Sequence, residues 1–335
     1  MESIAVVVPK KKAEQLRKKL MEKGALRTDL QVGSDSKNVY FPIKINVDLG
    51  YELVTRSFRE LKQLPTDYRD LLDMPDELET LLPSSLDIIG HVAIVRLSDE
   101  LRKHRKKIGR AIAKVNKPVK TVCLDSGVRG EERTRDLEII YGSSDTLTSY
   151  REHGLVFSVD PRTMFFSPRL ATERKLVADQ VRNGERVFDM FAGVGPFTIL
   201  IAKTHSPEMV YACDINEVAF QLLKENIELN KVTEVVKPFL GDVREIYSEI
   251  PPVHRIIMNL PHSAFDFLDI ACEMLLDGGI IHLYDIMAED ELEDRIDAIS
   301  CKISELGRSV ENIDSRMVKS YSPTLRYYGF DISLK

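Results

Sequence analysis

One stretch constrains the fold of this chain more than any other: ERVFDMFAGVGPFTILIA, residues 185–202. A short apolar strand ends at Asp189, and the glycines at 193 and 195 let the backbone approach a ligand closely. A helix then starts near Pro196, where proline is tolerated in a first turn. A second strand, Met209–Cys213, runs into Asp214 about 20 residues beyond the glycines. At that spacing a carboxylate meets ribose hydroxyls in nucleotide-binding βαβ units. A dehydrogenase fingerprint would place a third glycine where this chain has Thr198, and it would gain little from an aspartate before the turn.

The rhythm continues downstream. A helix is expected over Val218–Leu229, then a strand Val235–Leu240 ending in Gly241-Asp242-Val243. Strand Arg255–Met258 ends in Asn259-Leu260-Pro261, and strand Gly279–Tyr284 follows a helix. After an acidic helix near residues 289–306 come the strands Arg316–Tyr321 and Tyr327–Leu334. Apolar strands alternating with amphipathic helices predict a parallel sheet covered on both faces, which binds ligands at the carboxyl ends of its strands. Asp189, Asp214, Asp242 and Asn259 all fall at such ends.

The first half has another texture. Residues 1–62 read as a small α/β module: strand Ile4–Val8, a charged helix from Lys11 to Lys23 stopped by Gly24, and the alternating run Val39–Ile43. Residues 63–83, with Pro65, Pro75 and Pro83 among acidic side chains, read as a linker with a short helix near Leu78. Residues 84–158 read as a second domain: an apolar strand Asp87–Val95, a basic helix from Ser98 to about Val115, a strand around Lys120–Leu124, then SGVRGEERTRDLEIIYG. The sheet-forming domain occupies 159–335.

The net charge of −6 does not point to a polyanionic partner, but its distribution does. Between Leu101 and Lys120 stand Arg102, Lys103, Arg105, Lys106, Lys107, Arg110, Lys114, Lys117 and Lys120 with no acidic residue. A second basic cluster, Lys10–Lys12 with Arg17, Lys18, Lys19 and Lys23, lies on the first expected helix. Either is a solvated helix face or a footprint for phosphates. No apolar run reaches the roughly 18 residues of a membrane span, and MESIAVVVPKKK does not read as a signal peptide. The four cysteines form no CxxC pair, which argues against a disulfide framework or a structural zinc site and for a cytoplasmic setting.

The DxFxGxG string with Asp214 at its spacing looks like motif I of class I methyltransferases, whose ligand carries an amino acid and adenosine but no pyrophosphate. The strings FFSPRLATERKLV, VFDMFAGVGPFTI, ACDINEVAFQLLKENIELNKV, GDVRE and IIMNLPHSAFDFL, in that order, resemble archaeal tRNA (guanine-37-N1) methyltransferases. The resemblance extends to VPKKKAEQLRKKL, VYFPI, IIGHVAIVRL and RGEERTRDLEIIYG, and so over nearly the whole chain. It implies an α/β protein: a class I (Rossmann-like) seven-stranded sheet with an antiparallel last strand, preceded by two smaller α+β domains. It implies S-adenosyl-L-methionine as cofactor and tRNA as partner. The N-terminal module would recognise the tRNA body, and the second domain would grip the anticodon stem-loop and supply an active-site arginine. A monomer without a metal is expected.

Residue by residue, the resemblance assigns Glu173 as the base that takes the proton from guanine N1. It assigns Arg133 as the cation facing guanine O6, and Asn259 as a residue fixing the base. Arg133 and Arg135 are not separated by spacing alone; the resemblance favours the former. The implied cofactor set is Phe165, Arg169, Asp189, Phe191, Gly193, Gly195, Asp214, Ile215, Asp242, Val243, Asn259 and Pro261. Asp214 would hold the ribose, Asp242 with Val243 the adenine, and Pro261 would shape the pocket. Tyrosine is common at the first of these positions, so Phe165 keeps packing but lacks a hydroxyl. Arg174, with Arg102, Lys103, Arg105, Lys106 and Lys107, would contact RNA.

The chemistry is consistent with those roles. Guanine N1 carries a proton at neutral pH and becomes nucleophilic as it leaves, so a positioned carboxylate is useful. The charge that develops on O6 suits a guanidinium. The rival readings are an aminocarboxypropyl transferase of wyosine biosynthesis, a bifunctional enzyme that also methylates a wyosine intermediate, and a non-enzymatic RNA-binding protein. The Asn-Leu-Pro tripeptide speaks against the aminocarboxypropyl transferase and the intact glycine turn against the binding protein, while the bifunctional reading stays open because the same pocket could serve both reactions.

Overall fold

The computed structural model describes residues 1–335 except 45–49, 62–64 and 130–133. Two compact units emerge, Met1–Asp70 and Leu71–Lys335. In the first, β1 (Glu2–Pro9), α1 (Ala13–Glu22), β2 (Gly33–Ser34), β3 (Asn38–Pro42) and β4 (Leu53–Ser57) follow one another, and the strands form an antiparallel sheet in the order β2-β3-β1-β4. Leu16 and Leu20, four apart on α1, form one stripe on Val6, Val8 and Phe41. The opposite face buries Ala5 with Leu30 and Phe58. Central β1 is therefore covered on both sides, which is why it reads as an apolar run. Lys10–Lys12, Arg17, Lys18, Lys19 and Lys23 are all exposed.

The second unit begins with α2 (Asp76–Glu79), at the expected short helix. Leu72, Met74 and Leu82 are buried, so residues 71–83 pack into this unit and do not form a free linker. Next come β5 (Asp87–Ile89), β6 (Val92–Val95), α3 (Asp99–Arg102), α4 (Arg105–Val115), β7 (Thr121–Arg129) and β8 (Thr134–Tyr141), with sheet order β5-β6-β7-β8. The single strand expected over Asp87–Val95 is a hairpin, because Gly90, with φ +54°, turns the chain back on itself. The basic helix is likewise broken at Lys103–His104 into α3 and α4. Ile108, Ala111 and Ile112 of α4 face the sheet, while Lys106, Arg110 and Lys114 face solvent.

The hairpin β9 (Thr148–Glu152) and β10 (Leu155–Val159) follows. Then come α5 (Ala171–Gln180), β11 (Arg186–Asp189), α6 (Pro196–Thr204), β12 (Met209–Asp214), α7 (Glu217–Leu229), β13 (Val236–Leu240), α8 (Val243–Ile246), β14 (Val253–Met258), α9 (Leu268–Met274), β15 (Leu275–Ala288), α10 (Leu292–Glu305), β16 (Val310–Ser320) and β17 (Leu325–Leu334). Seven strands pair in the order β13-β12-β11-β14-β15-β17-β16. Only β17 runs against the others, antiparallel to both β15 and β16. Apolar side chains of α5, α6 and α7 cover one face, and those of α9 and α10 the other.

The boundary expected between 158 and 159 falls inside a bonded region. Asn226 of α7 accepts from the Ser158 amide at 2.6 Å and donates to its carbonyl at 3.1 Å. Asn230, one turn on, does the same for Val156 at 3.1 and 2.7 Å. The two carboxamides satisfy the open edge of β10 as a neighbouring strand would. Asn226 also donates to the Val194 carbonyl at 3.1 Å, tying the hairpin to the glycine turn.

Candidate active site

A cavity of about 740 Å³ opens at the carboxyl ends of β11, β12, β13 and β14. Parallel strands end together there, and each end delivers a polar side chain. Asp214 closes β12: its Oδ2 accepts from the Gly193 amide at 2.6 Å and its Oδ1 from the Asn216 amide at 2.9 Å. The carboxylate thus holds the glycine turn, and Asn216 caps α7 by accepting from the Ala219 amide at 3.0 Å. Gly193 has φ +56°, and a Cβ added to it would meet no atom within 4 Å, so the turn presents bare backbone to open space. Asp242 caps α8 by accepting from the Arg244 amide at 2.9 Å. Asn259 follows β14, and its Oδ1 accepts from the hydroxyl of Tyr327 on β17.

Phe165, Phe191, Gly193, Asp214, Ile215, Asp242, Val243, Asn259 and Pro261 line this cavity, so the structure brings together most of the set expected from sequence. Gly195, the N-cap of α6 with φ +81°, does not line the cavity, and a Cβ there would run into Leu223 Cδ1. Asp189 is buried behind the wall, where burial pushes its carboxyl up to about 7; Thr198 Oγ1 donates to it at 2.8 Å and pulls the other way, and the Asp214 charge adds to the rise. Thr198, which replaces the third glycine of a dehydrogenase turn, is thus the partner of Asp189.

Three other expected residues are engaged by partners within the protein. Arg169 does not face the cavity; its Nε donates to Asp87 Oδ1 on β5 at 2.6 Å. Arg174 is 1% exposed and lines the cavity from within rather than standing on the outer surface. Its Nε and Nη2 grip Glu152 of β9 at 2.7 and 2.6 Å, and Nη2 also donates to the Ser167 carbonyl at 3.1 Å. Removing one partner of such a buried pair leaves a bare charge, so Arg174→Met should destabilise the protein by about 3–5 kcal/mol in chemical denaturation. A loss below 1 kcal/mol, roughly that of an exposed pair, would contradict this reading.

The third is Glu173, which does not line the cavity. Its carboxylate, 5% exposed, accepts from the Tyr284 hydroxyl at 2.7 Å and from Arg316 Nη2 at 2.5 Å. Tyr284 packs on Tyr327 with ring centroids 5.7 Å apart, and Tyr327 holds Asn259. Glu173 therefore stands one aromatic layer behind the wall.

Arg133 lies outside the described residues. Arg135 is described and committed elsewhere: it pairs with Asp125 at 3.4 Å and Asp87 at 3.5 Å, and donates to the Phe166 carbonyl at 3.1 Å. In the basic run, Arg105 pairs with Glu138 at 2.7 Å, Arg102 with Asp99 at 3.0 Å, and Lys107 donates to the Asp73 carbonyl at 2.5 Å. Lys103 and Lys106 are exposed.

Sequence reasoning missed the contribution of the last two strands. A β-bulge between Met317 and Lys319 inserts one extra residue, so Arg316 and Lys319 project from the same face of β16. Simple alternation would put them on opposite faces. Lys319 Nζ donates to Ser167 Oγ at 3.2 Å. Burial and the neighbouring Arg135, Arg169 and Arg174 push it down to about 8, against the pull of Asp87. Tyr321 and His262 meet edge to face at 5.8 Å on the cavity lining, and His262 carries a φ of +94°. A non-glycine residue held there is strained by about 1–3 kcal/mol, and such strain concentrates at functional sites.

A seven-stranded sheet of this order, with a glycine turn and acidic strand ends around one cavity, defines a class I methyltransferase catalytic domain. Residues 148–310 match the TRM5/TYW2 methyltransferase domain, 68–146 the TYW2 N-terminal domain, and 5–51 the tRNA methyltransferase 5 N-terminal domain. The chain is 42% identical to tRNA (guanine(37)-N(1))-methyltransferase Trm5b of Pyrococcus abyssi, with 99% of each chain covered. A solved complex of aTrm5 and tRNALeu is similar over 99% of this chain and 100% of that one, with a TM-score of 0.76 and 34% identity. A tRNA(Phe) (4-demethylwyosine(37)-C(7)) aminocarboxypropyltransferase of Methanocaldococcus jannaschii is 35% identical but aligns with 70% of this chain and 92% of its own length. The chain belongs to the tRNA (guanine-37-N1) methyltransferase family.

Proposed function

We propose that this protein transfers the methyl group of S-adenosyl-L-methionine to N1 of guanine 37 in tRNA, beside the anticodon. The observation that carries this reading is the cavity at the strand ends, with Asp214, Asp242 and Asn259 on its wall, in a chain that aligns end to end with an enzyme of that activity. The donor fits the residues present. The bare backbone at Gly193 admits a ligand without a Cβ in the way, the Asp214 carboxylate suits vicinal ribose hydroxyls, and the volume is within the range of a small-molecule site. When bound, the cofactor supplies a methyl group on a sulfonium, which is already a good leaving group.

The chain's own residues handle the base. Glu173 takes the proton from guanine N1, and the freed nitrogen lone pair forms the new bond to the methyl carbon. Catalytic hydrogen bonds commonly form only once the substrate is in place, so the position of Glu173 one layer behind the wall is compatible with this role. Arg133 stabilises the charge that develops on O6, since Arg135 is already held by Asp125, Asp87 and the Phe166 carbonyl. Tyr327 occupies the Oδ1 of Asn259 and so leaves the Nδ2 donors for the acceptor edge of the purine. Taking guanine 37 out of the loop stack costs a few kcal/mol, about what contacts in an enclosing pocket can return.

The exposed lysines of α1 and of the α3–α4 region are the surfaces we assign to tRNA phosphates, in a cytoplasmic monomer. No helix among the described residues is long and apolar enough to cross a membrane. The test is nucleoside mapping by mass spectrometry of tRNA transcripts before and after reaction. Methyl label is expected at G37, with none in an A37 transcript. Equal labelling of both would remove the guanine assignment, and an aminocarboxypropyl adduct would place the chain with the transferase relatives.

A further inference from the structure

Glu173 is embedded in an unusually complete set of donors, none of which the reaction as derived above uses. Its Oε1 accepts from the Tyr284 hydroxyl at 2.7 Å, from Arg316 Nη2 at 2.5 Å and from Arg316 Nε at 3.1 Å. Among the described residues its Oε2 has a single, longer contact, Arg316 Nε at 3.2 Å. One carboxylate oxygen is thus saturated and the other retains its capacity to accept. Space for this arrangement comes from Gly329, paired with Arg316 across the β16–β17 ladder. A Cβ there would sit 3.0 Å from the Tyr284 ring and 3.4 Å from both Arg316 Nη2 and Glu173 Oε1.

Arg316 is itself fixed from behind. Its Nη1 pairs with Asp331 of β17 at 2.8 Å, and Asp331 accepts from Gln180 at 2.9 Å. His282 of β15 donates from Nδ1 to Asp331 at 2.6 Å, because its Nε2 lies 2.7 Å from Arg255 Nη1 and must be the acceptor there. Burial holds this imidazole neutral, in agreement with that tautomer. Arg255 is anchored in turn on Glu185 at 2.9 Å. The chain of contacts crosses β14, β15, β17 and β16 and ends on Glu173. A buried polar network with every member engaged holds its last member in one geometry.

We propose that Arg316 is a positioning residue for methyl transfer, orienting the Glu173 carboxylate so that Oε2 meets the N1 proton of the incoming guanine. This rests on the reading of Glu173 as the base. Arg316 acts through Glu173 and does not line the cavity.

The experiment is single-turnover methyl transfer to a G37 transcript by Arg316→Met, Arg316→Lys, Glu173→Gln and the double variant Glu173→Gln/Arg316→Met, with cofactor and tRNA dissociation constants measured beside it. A misplaced catalytic group can cost about 10²-fold, so Arg316→Met should lose about that factor in rate with both dissociation constants nearly unchanged. Arg316→Lys, which keeps a cation beside the carboxylate, should recover part of the loss. Adding Arg316→Met to Glu173→Gln should cost nothing further. The double variant also leaves no unpaired charge on Glu173, so it carries the test if Arg316→Met alone fails to fold. A wild-type rate for Arg316→Met, or an equal loss in the Glu173→Gln background, would overturn the proposal. A wild-type rate for Glu173→Gln would overturn the base assignment itself, whatever Arg316 does.

Discussion

Glu173→Gln should slow single-turnover methyl transfer by about 10²–10⁴-fold while S-adenosyl-L-methionine binds as before. The amide cannot take the guanine N1 proton, but its carbonyl oxygen can still accept from Tyr284 and Arg316, so the local frame survives. Arg316 keeps Asp331 as a counter-charge at 2.8 Å, which avoids leaving a buried cation alone. Cofactor affinity should hold because Glu173 lies outside the cavity wall. The measurement is a rapid-quench time course at saturating cofactor and enzyme, with calorimetry of the cofactor beside it. An unchanged rate would exclude Glu173 as the base. A slow rate with lost cofactor binding would instead mean that the substitution disturbs the cavity.

The second large effect is expected at Asp214. Both carboxylate oxygens accept backbone amides, from Gly193 at 2.6 Å and Asn216 at 2.9 Å, while the side chain also faces the cavity. Asp214→Asn replaces one acceptor oxygen with an NH₂ group, which sets donor against donor at one of those amides. Hydrogen bonds to a charged group are each worth about 1.5–3 kcal/mol. Losing one, together with the charge that would meet the ribose, should cost about 3 kcal/mol of cofactor affinity, roughly 10²-fold. Calorimetric titration reads this directly, and a dissociation constant within threefold of wild type would show that Asp214 is not the ribose ligand. The α7 cap at Asn216 is left intact by the change, so the fold should persist.

Most of the cofactor wall was legible without coordinates because it is written in local pattern. Gly193, Asp214, Asp242 and Asn259 each sit at or just past the end of an apolar run, and a parallel sheet gathers such stops at one edge. Where the reading went astray, the cause was a local break in the period. Gly90 splits one apparent strand into a hairpin, and the bulge after Met317 turns Lys319 onto the face of Arg316. Arg174 illustrates another limit: the resemblance implies an RNA contact there, and only the fold shows Glu152 of the β9–β10 hairpin as its partner.

The succession of strands and helices along the chain, the covered faces and the polar residues at the strand ends were determined by sequence alone, since hydrophobic period and turn chemistry act over a few residues. Partnership was decided only by the tertiary structure. Arg316 reaches Glu173 across 143 positions and Tyr327 reaches Asn259 across 68. No local period encodes such pairs. They exist because an antiparallel last strand returns along the sheet, setting Tyr327 beside Asn259 and pairing with the strand that carries Arg316 to Glu173.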